Sequence, residues 1–274
     1  MEKDNAILQN WMNNWNSLIK DWNSSPDDFY SKDIFLKIYT GKGNKELVKD
    51  ALLEPYIGNP YKNSCVILNL NPGSVMEKQQ DINTGEFITK GKAVENYQEF
   101  SKPFPYLSEF KDNGGGSWWN SRNAWLKRLI KNTKGIDTTE NPFALEICYW
   151  HSKGWDGIEL YKGETIDYLE NLLHIAEEAN KYSDLGIVVS VGKIYTKIFE
   201  LLRFERILMI DKEDHNNIDF PKNGNGKFSD RTFSLYKSPN GVFFYNTWHT
   251  GGNKQPAKQW DEVEKYVMSQ LSNK

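Results

Sequence analysis

The chain has 274 residues, of which 38% are hydrophobic and 14% aromatic, with 10 Trp, 14 Tyr and 14 Phe. That composition excludes a disordered chain and leaves room for one large α/β domain, or two small ones, with a sizeable core. A net charge of −3 excludes bulk attraction to nucleic acid, so contact with DNA has to come from a local basic patch.

Residues 6–22 place Ile7, Leu8, Trp11, Trp15, Leu18, Ile19 and Trp22 at steps of three and four, which predicts one apolar helical stripe. The N-terminus has no continuous apolar stretch of the signal-peptide kind, and no run approaches the roughly 20 apolar residues of a membrane span. The expected compartment is therefore the cytoplasm. "NSSPDD" ends the first helix. A short strand is expected over 33–39, a turn over 40–46, a short helix over 47–53 and a Pro/Gly loop over 54–64.

"VILNLNPGS", residues 66–74, reads as a buried strand that stops at Asn71-Pro72-Gly73. Residues 75–116 are long, polar and rich in aromatics, the pattern of a functional loop or lid. Residues 117–132 predict a helix with Ser117 as N-cap. "NPFALEICYWH" is a second buried strand, 164–182 an amphipathic helix, and "LGIVVSVGK" a third strand running into the helix "IYTKIFELL". A short strand at 205–210 and a polar loop at 211–230 follow. Residues 232–249 read as a hairpin around Pro239-Asn240-Gly241, and 256–271 as a closing helix.

Apolar strands alternating with helices argue for a mainly parallel sheet covered on both faces. The expected fold is an α/β chain in one domain: a three-layer α/β/α sandwich around a mostly parallel four-stranded sheet. Residues 1–52 form an N-terminal helical extension and 53–274 the core. Ligands of such folds sit at the carboxyl ends of the strands. Those ends carry Asn69–Gly73, Tyr149-Trp150-His151, Gly192-Lys193 and Trp248–Gly252.

Cys65 and Cys148 lie in apolar runs and read as buried free thiols in a reducing compartment. Two cysteines cannot build a four-cysteine metal or iron–sulfur site. No Gly-x-Gly-x-x-Gly follows a strand, "TGKGNK" lacks the Gly-Lys-Ser/Thr end of a P-loop, and no Gly-x-Ser-x-Gly elbow occurs. No metal and no organic cofactor is expected.

"NLNPG", followed far downstream by "WHTGG", resembles the two active-site motifs of the uracil-DNA glycosylase superfamily, in its Asn-Pro-Gly, mismatch-specific branch. "LGIVVSVGKIYTKIFELL" is similar to that superfamily's strand, Gly and helix, and "EPYIGNPYKNSCVILNLNPG" to the approach to its core. The likeness spans roughly residues 53–270. Here His249 is followed by Thr-Gly-Gly, where the superfamily usually has Pro-Ser. The resemblance implies a DNA base-excision hydrolase acting on a flipped base, with DNA as partner.

It also implies roles. Asn71 positions the attacking water through its side-chain carbonyl, and His249 donates to the departing base. Gly73 lets the backbone approach the nucleotide, and Glu146 falls near the position that reads the base edge. Phe87, Tyr97 and Phe104 are candidate stacking rings for the flipped base, Phe87 being assigned to the base site. Ser74, Lys193, Thr250, Gly251, Gly252 and Asn253 are assigned to the DNA backbone. An ionised carboxylate at Glu146 accepts hydrogen bonds and donates none, which points to cytosine or a modified cytosine over uracil. Each residue has a plainer reading: Asn71 as a turn residue, His249 as a surface histidine, Glu146 as a paired buried acid, and His151, Lys153 and Lys193 as solvated loop residues. A binding module without chemistry, or an enzyme acting on a free nucleoside or nucleotide, remains open.

Overall fold

A computed structural model of the chain describes residues 5–74, 93–112, 114–211, 213–214, 231–249 and 255–272. It is an α/β protein built on one seven-stranded mixed sheet. The strands are β1 (Tyr56–Ile57), β2 (Val66–Asn69), β3 (Phe143–Glu146), β4 (Val188–Val191), β5 (Glu205–Ile210), β6 (Arg231–Lys237) and β7 (Phe243–His249). Their order is β1-β3-β2-β4-β7-β6-β5. The four central strands, β3-β2-β4-β7, are parallel, whereas β1 and the β6–β5 pair add antiparallel edges. The expected four-stranded sheet is thus corrected to seven strands. Tyr56-Ile57 lies between Pro/Gly flanks that read as loop, and a two-residue edge strand has no periodicity to show.

Every residue of β2, β3 and β4 is buried, as a sheet covered on both faces requires. The helices are α1 (Ala6–Ser24), α2 (Pro26–Lys32), α3 (Phe35–Ile38), α4 (Tyr97–Ser101), α5 (Gly114–Lys134), α6 (Gly163–Asn180), α7 (Ile194–Leu201) and α8 (Asp261–Ser269). On one face Val66, Leu68, Leu145 and Phe244 pack with α1, α6 and α7. On the other, Ile67, Ala144, Val189 and Tyr245 pack with α5 and α8. The alternation of side chains along each strand divides the core in this way. α1 buries Leu8, Met12, Trp15, Ile19 and Trp22 and is capped by the Asn5 side chain, which accepts from the backbone N–H of Ile7 and Leu8.

Three further expectations change. Residues 33–39 hold the short helix α3 where a strand was expected. The Asp33 carboxylate accepts the Leu36 N–H at 3.1 Å, and the turn buries Phe35 and Ile38. Residues 47–53 form no helix. Val48 bridges His151, and Ala51, Leu52 and Leu53 are all buried, so no polar face is left for a surface helix. α5 starts at Gly114, upstream of Ser117. A Cβ at Gly116 would meet the carbonyl oxygens of Phe110 and Lys111 at 2.3 Å, so the glycines allow a close approach that helix propensity disfavours.

The chain leaves β2 toward β3 on one side, and leaves β4 toward β7 on the other. Such a reversal opens a crevice outside the carboxyl ends of the strands. Cys65 and Cys148 are buried free thiols. No described helix is long and apolar enough to cross a membrane.

Candidate active site

A pocket of about 550 Å³ lies at that crevice. Its deep wall is polar: Asn69 at the end of β2, Glu146 at the end of β3, Glu54 before β1, Tyr106, and Arg122 from α5. Its rim carries the Asn71–Ser74 turn, the Ser152–Gly154 loop and the rings of Trp118, Trp119 and Trp155. Apolar walls with a few convergent polar groups mark a small-molecule site.

The deep wall is held by a directional chain of hydrogen bonds. The Arg122 guanidinium donates to Asn69 Oδ1 at 2.8 Å, and Asn69 Nδ2 donates to Glu146 Oε1 at 3.0 Å. Arginine only donates, so the orientation of the amide is fixed. Glu146 is 4% exposed, and its Oε2 has no hydrogen-bond partner among the described residues. Burial is the main cause that pushes its carboxyl up to about 8, and the nearby Glu54 adds to it. The Asn69 bond and Arg122 pull the other way. Burial pushes Arg122 down to about 9, which leaves it charged at neutral pH, and its guanidinium lies 4.0 Å from the Trp118 ring centroid. Tyr106 donates to Glu54 Oε1 at 2.6 Å.

Asn71 belongs to the rim. Its Nδ2 lies 2.8 Å from Ser152 Oγ and 3.4 Å from the Ser152 carbonyl. The Ser152 hydroxyl donates to the Gly154 carbonyl at 2.7 Å, so Oγ receives from Asn71. The amide nitrogen is therefore turned to the loop, and Oδ1 is left as an acceptor with no partner among the described residues. Gly73 has φ +84, a left-handed conformation suited to glycine. Its carbonyl accepts from the Ser152 N–H and from His151 Nδ1, both at 3.1 Å. The second of these bonds requires the proton on Nδ1, because a carbonyl only accepts.

Of the residues assigned from the sequence, Asn71, Gly73, Ser74 and Glu146 come together around this pocket. His249 ends β7, half-buried, opposite Arg231 in register. Two strand spacings of about 4.8 Å separate β7 from β2, with β4 between them. Alternation places His249 on the same sheet face as Tyr245, Val191 and Asn69, but it is not part of the described pocket wall. Lys193 is exposed, with its ammonium 5.3 Å from the Trp248 ring centroid. Phe87, Thr250, Gly251, Gly252 and Asn253 lie outside the described residues.

Two stacking candidates are corrected. Tyr97 and Phe104 are both fully buried in the core. Tyr97 donates to the Tyr56 carbonyl at 2.8 Å, and Phe104 packs edge-on against Trp119, so neither offers a face to a ligand. The rings at the pocket are Trp118, Trp119, Trp155 and Tyr106 instead. His151 is also corrected: it is 2% exposed, and its Nε2 stands 3.5 Å from Glu54 Oε1. The bridge to Val48 draws its segment inward.

Sequence reasoning missed Arg122, Glu54, Tyr106 and Ser152, and it used Asn69 only as part of a strand end. Arg122 did carry a signal. It falls three residues after Trp119 and four before Leu126 on the apolar stripe of α5, where a charge has to find a partner. Among the described residues no group of His, Cys, Asp and Glu is placed to hold a metal ion. Comparison with protein-family models, curated proteins and solved structures finds no match to this chain.

Proposed function

We propose that the chain is a base-excising hydrolase with a uracil-DNA glycosylase-like fold, which cleaves the N-glycosidic bond of a nucleobase held in the pocket at the end of β2. The observation that carries this reading is the orientation of Asn71. Its amide nitrogen is spent on Ser152, so its oxygen is the free acceptor at the pocket rim. There it can hold a water for attack on the anomeric carbon, and as an amide it orients the water without removing a proton. A glycosidic bond that breaks with the base deep in the pocket puts negative charge near Glu146 and Arg122 and positive charge on the sugar near the rim. The Trp rings supply flat apolar surface for the base. His249, on the same face and edge of the sheet, is assigned to stabilising the departing base. Ser74, Lys193 and residues 250–253 are assigned to the sugar-phosphate backbone.

The test is release of free base from single- and double-stranded oligonucleotides, and from the matching nucleosides, followed by chromatography. Base release from oligonucleotides, lowered about a hundredfold or more in Asn71→Ala and less in His249→Ala, is the expected result. Unchanged release in both variants would overturn the assignment. The net charge of −3 favours a second reading, a nucleoside or nucleotide hydrolase with the same chemistry. Release from nucleosides alone, with no salt-dependent oligonucleotide binding, selects that reading.

A further inference from the structure

The hydrogen-bond chain behind the pocket determines which oxygen of Glu146 carries a proton. Arg122 can only donate, so Asn69 turns its oxygen to Arg122 and its nitrogen to Glu146 Oε1. Oε1 must therefore accept. When Glu146 holds a proton, the proton is on Oε2, the buried oxygen that has no partner among the described residues. Glu146 forms part of the pocket wall, so this is a donor built without a protein acceptor. A buried polar group left in this state calls for a ligand that completes it.

We infer that Glu146 is the acid of the reaction: its Oε2–H pairs with the ring nitrogen N3 of a 4-aminopyrimidine of the cytosine class and passes the proton to it as the base leaves. This inference rests on the hydrolase reading above and names the substrate class of that same site. Cytosine presents an acceptor at N3 and a donor at its 4-amino group. Oε1 has a second lone pair beside the one used by Asn69, so it can take the amino hydrogen while Oε2 serves N3. Uracil already carries a hydrogen on N3 and has nothing there to receive a proton. Cytosine is the poorer leaving group as an anion, so it gains most from an acid on that edge.

The step balances. The C1′–N1 bond breaks with its electron pair going to the base, the Oε2 proton moves to N3, and cytosine departs as a neutral tautomer. Water held at Asn71 adds to C1′ and loses one proton to solvent. The Glu146 carboxylate then takes a proton back from solvent, so one water is consumed for each base released.

The acid form prevails below about pH 8. The titratable groups around Glu146 are Glu54, Arg122, Tyr97, Tyr106, Tyr168, Tyr195 and Cys148. Burial holds the four phenols and the thiol well above their ordinary values, so none of these ionises near pH 8. Arg122 stays charged to about 9. His151 touches Glu54.

The experiment measures binding of free cytosine, 5-methylcytosine and uracil across pH through the fluorescence of the pocket tryptophans, alongside base release from oligonucleotides. Wild type is expected to bind cytosine about tenfold or more tighter than uracil, with the preference falling as pH rises through about 8. In Glu146→Gln the amide oxygen takes the Asn69 bond, which leaves an N–H facing N3. This variant is expected to bind cytosine without the alkaline loss, yet to release base about 10²–10⁴-fold more slowly, because an amide has no proton to give. Its retained cytosine binding also shows that it is folded. Equal binding of uracil and cytosine by wild type, or wild-type release by Glu146→Gln, overturns the inference. Release of uracil but not of cytosine overturns it and leaves the hydrolase reading standing. Cytosine binding with the alkaline limb but no release from any substrate supports the recognition by Glu146 and overturns the hydrolase reading.

Discussion

Glu146 at the end of β3 and Glu264 on α8 lie on the α5 side of the sheet, and both are nearly fully buried. Burial pushes Glu146 up to about 8 and Glu264 up to about 7. Their surroundings differ. Glu264 Oε1 accepts from Trp125 Nε1 at 2.9 Å and from the Tyr245 hydroxyl at 2.7 Å, which ties α8 to α5 and to β7. Glu146 receives one donor and keeps an oxygen without a partner at a pocket wall. The shift in acidity is therefore a poor guide to role, since desolvation shifts both. What separates the two acids is that Glu264 is held by two donors, from α5 and β7, whereas Glu146 receives one and lines a pocket.

Removing each acid in turn separates their roles. Glu264→Leu leaves an indole N–H and a phenol buried without an acceptor and is expected to cost about 2–4 kcal/mol. That corresponds to a fall in Tm of roughly 4–8 °C for a chain of this size, read by thermal unfolding. Glu146→Leu strands only the Asn69 amide and is expected to cost about 1–2 kcal/mol. A larger loss from Glu146→Leu than from Glu264→Leu would make Glu146 the structural acid.

A second effect follows from pH. Each acid has a folded-state value above its ordinary 4.5, so folding takes up protons. The acid form is favoured in the native state, and this contribution is fully present below the unfolded value. Stability is expected to fall as pH rises from about 4.5, through 7 for Glu264 and through 8 for Glu146, by roughly 1.4 kcal/mol per pH unit for each acid across its own window. Urea midpoints taken from pH 5 to pH 9 measure this. Glu264→Gln should remove the part that ends near 7 and Glu146→Gln the part that ends near 8. A pH profile left unchanged by both substitutions removes the premise that either acid is protonated.

Much of the scaffold was legible in the sequence, for identifiable reasons. The α1 stripe, the apolar runs of β2 and β4 and the hairpin turn at Pro239-Asn240-Gly241 depend on local periodicity and turn chemistry. α3 and β1 were not legible, because a four-residue helix and a two-residue edge pairing leave no period. At the site, the turn after β2 was visible through Pro72 and Gly73. The deep wall was not, because Glu54, Asn69, Tyr106, Arg122 and Glu146 come from separate segments and meet only through the topology. Arg122 and Glu264 share a mark that can be read in advance, a charge on the apolar stripe of an amphipathic helix. That mark predicts burial, but it does not say whether the partner is protein or ligand.

The turn after β2 supplies the smallest stability effect and the clearest division between fold and function. Gly73 sits at φ +84 with its carbonyl held by His151 and Ser152. Alanine there meets left-handed backbone strain of about 1 kcal/mol, so Gly73→Ala is expected to lower Tm by only a few degrees. The strain is relieved most readily by rotating the turn, and that moves Asn71, two residues away, against its bonds to Ser152. A misplaced water-holding oxygen costs far more in rate than the turn costs in stability, so base release should fall at least tenfold while cytosine binding at Glu146 is retained. Release at the wild-type rate, with Tm lowered as expected, would show that the Asn71 turn does not position the attacking water.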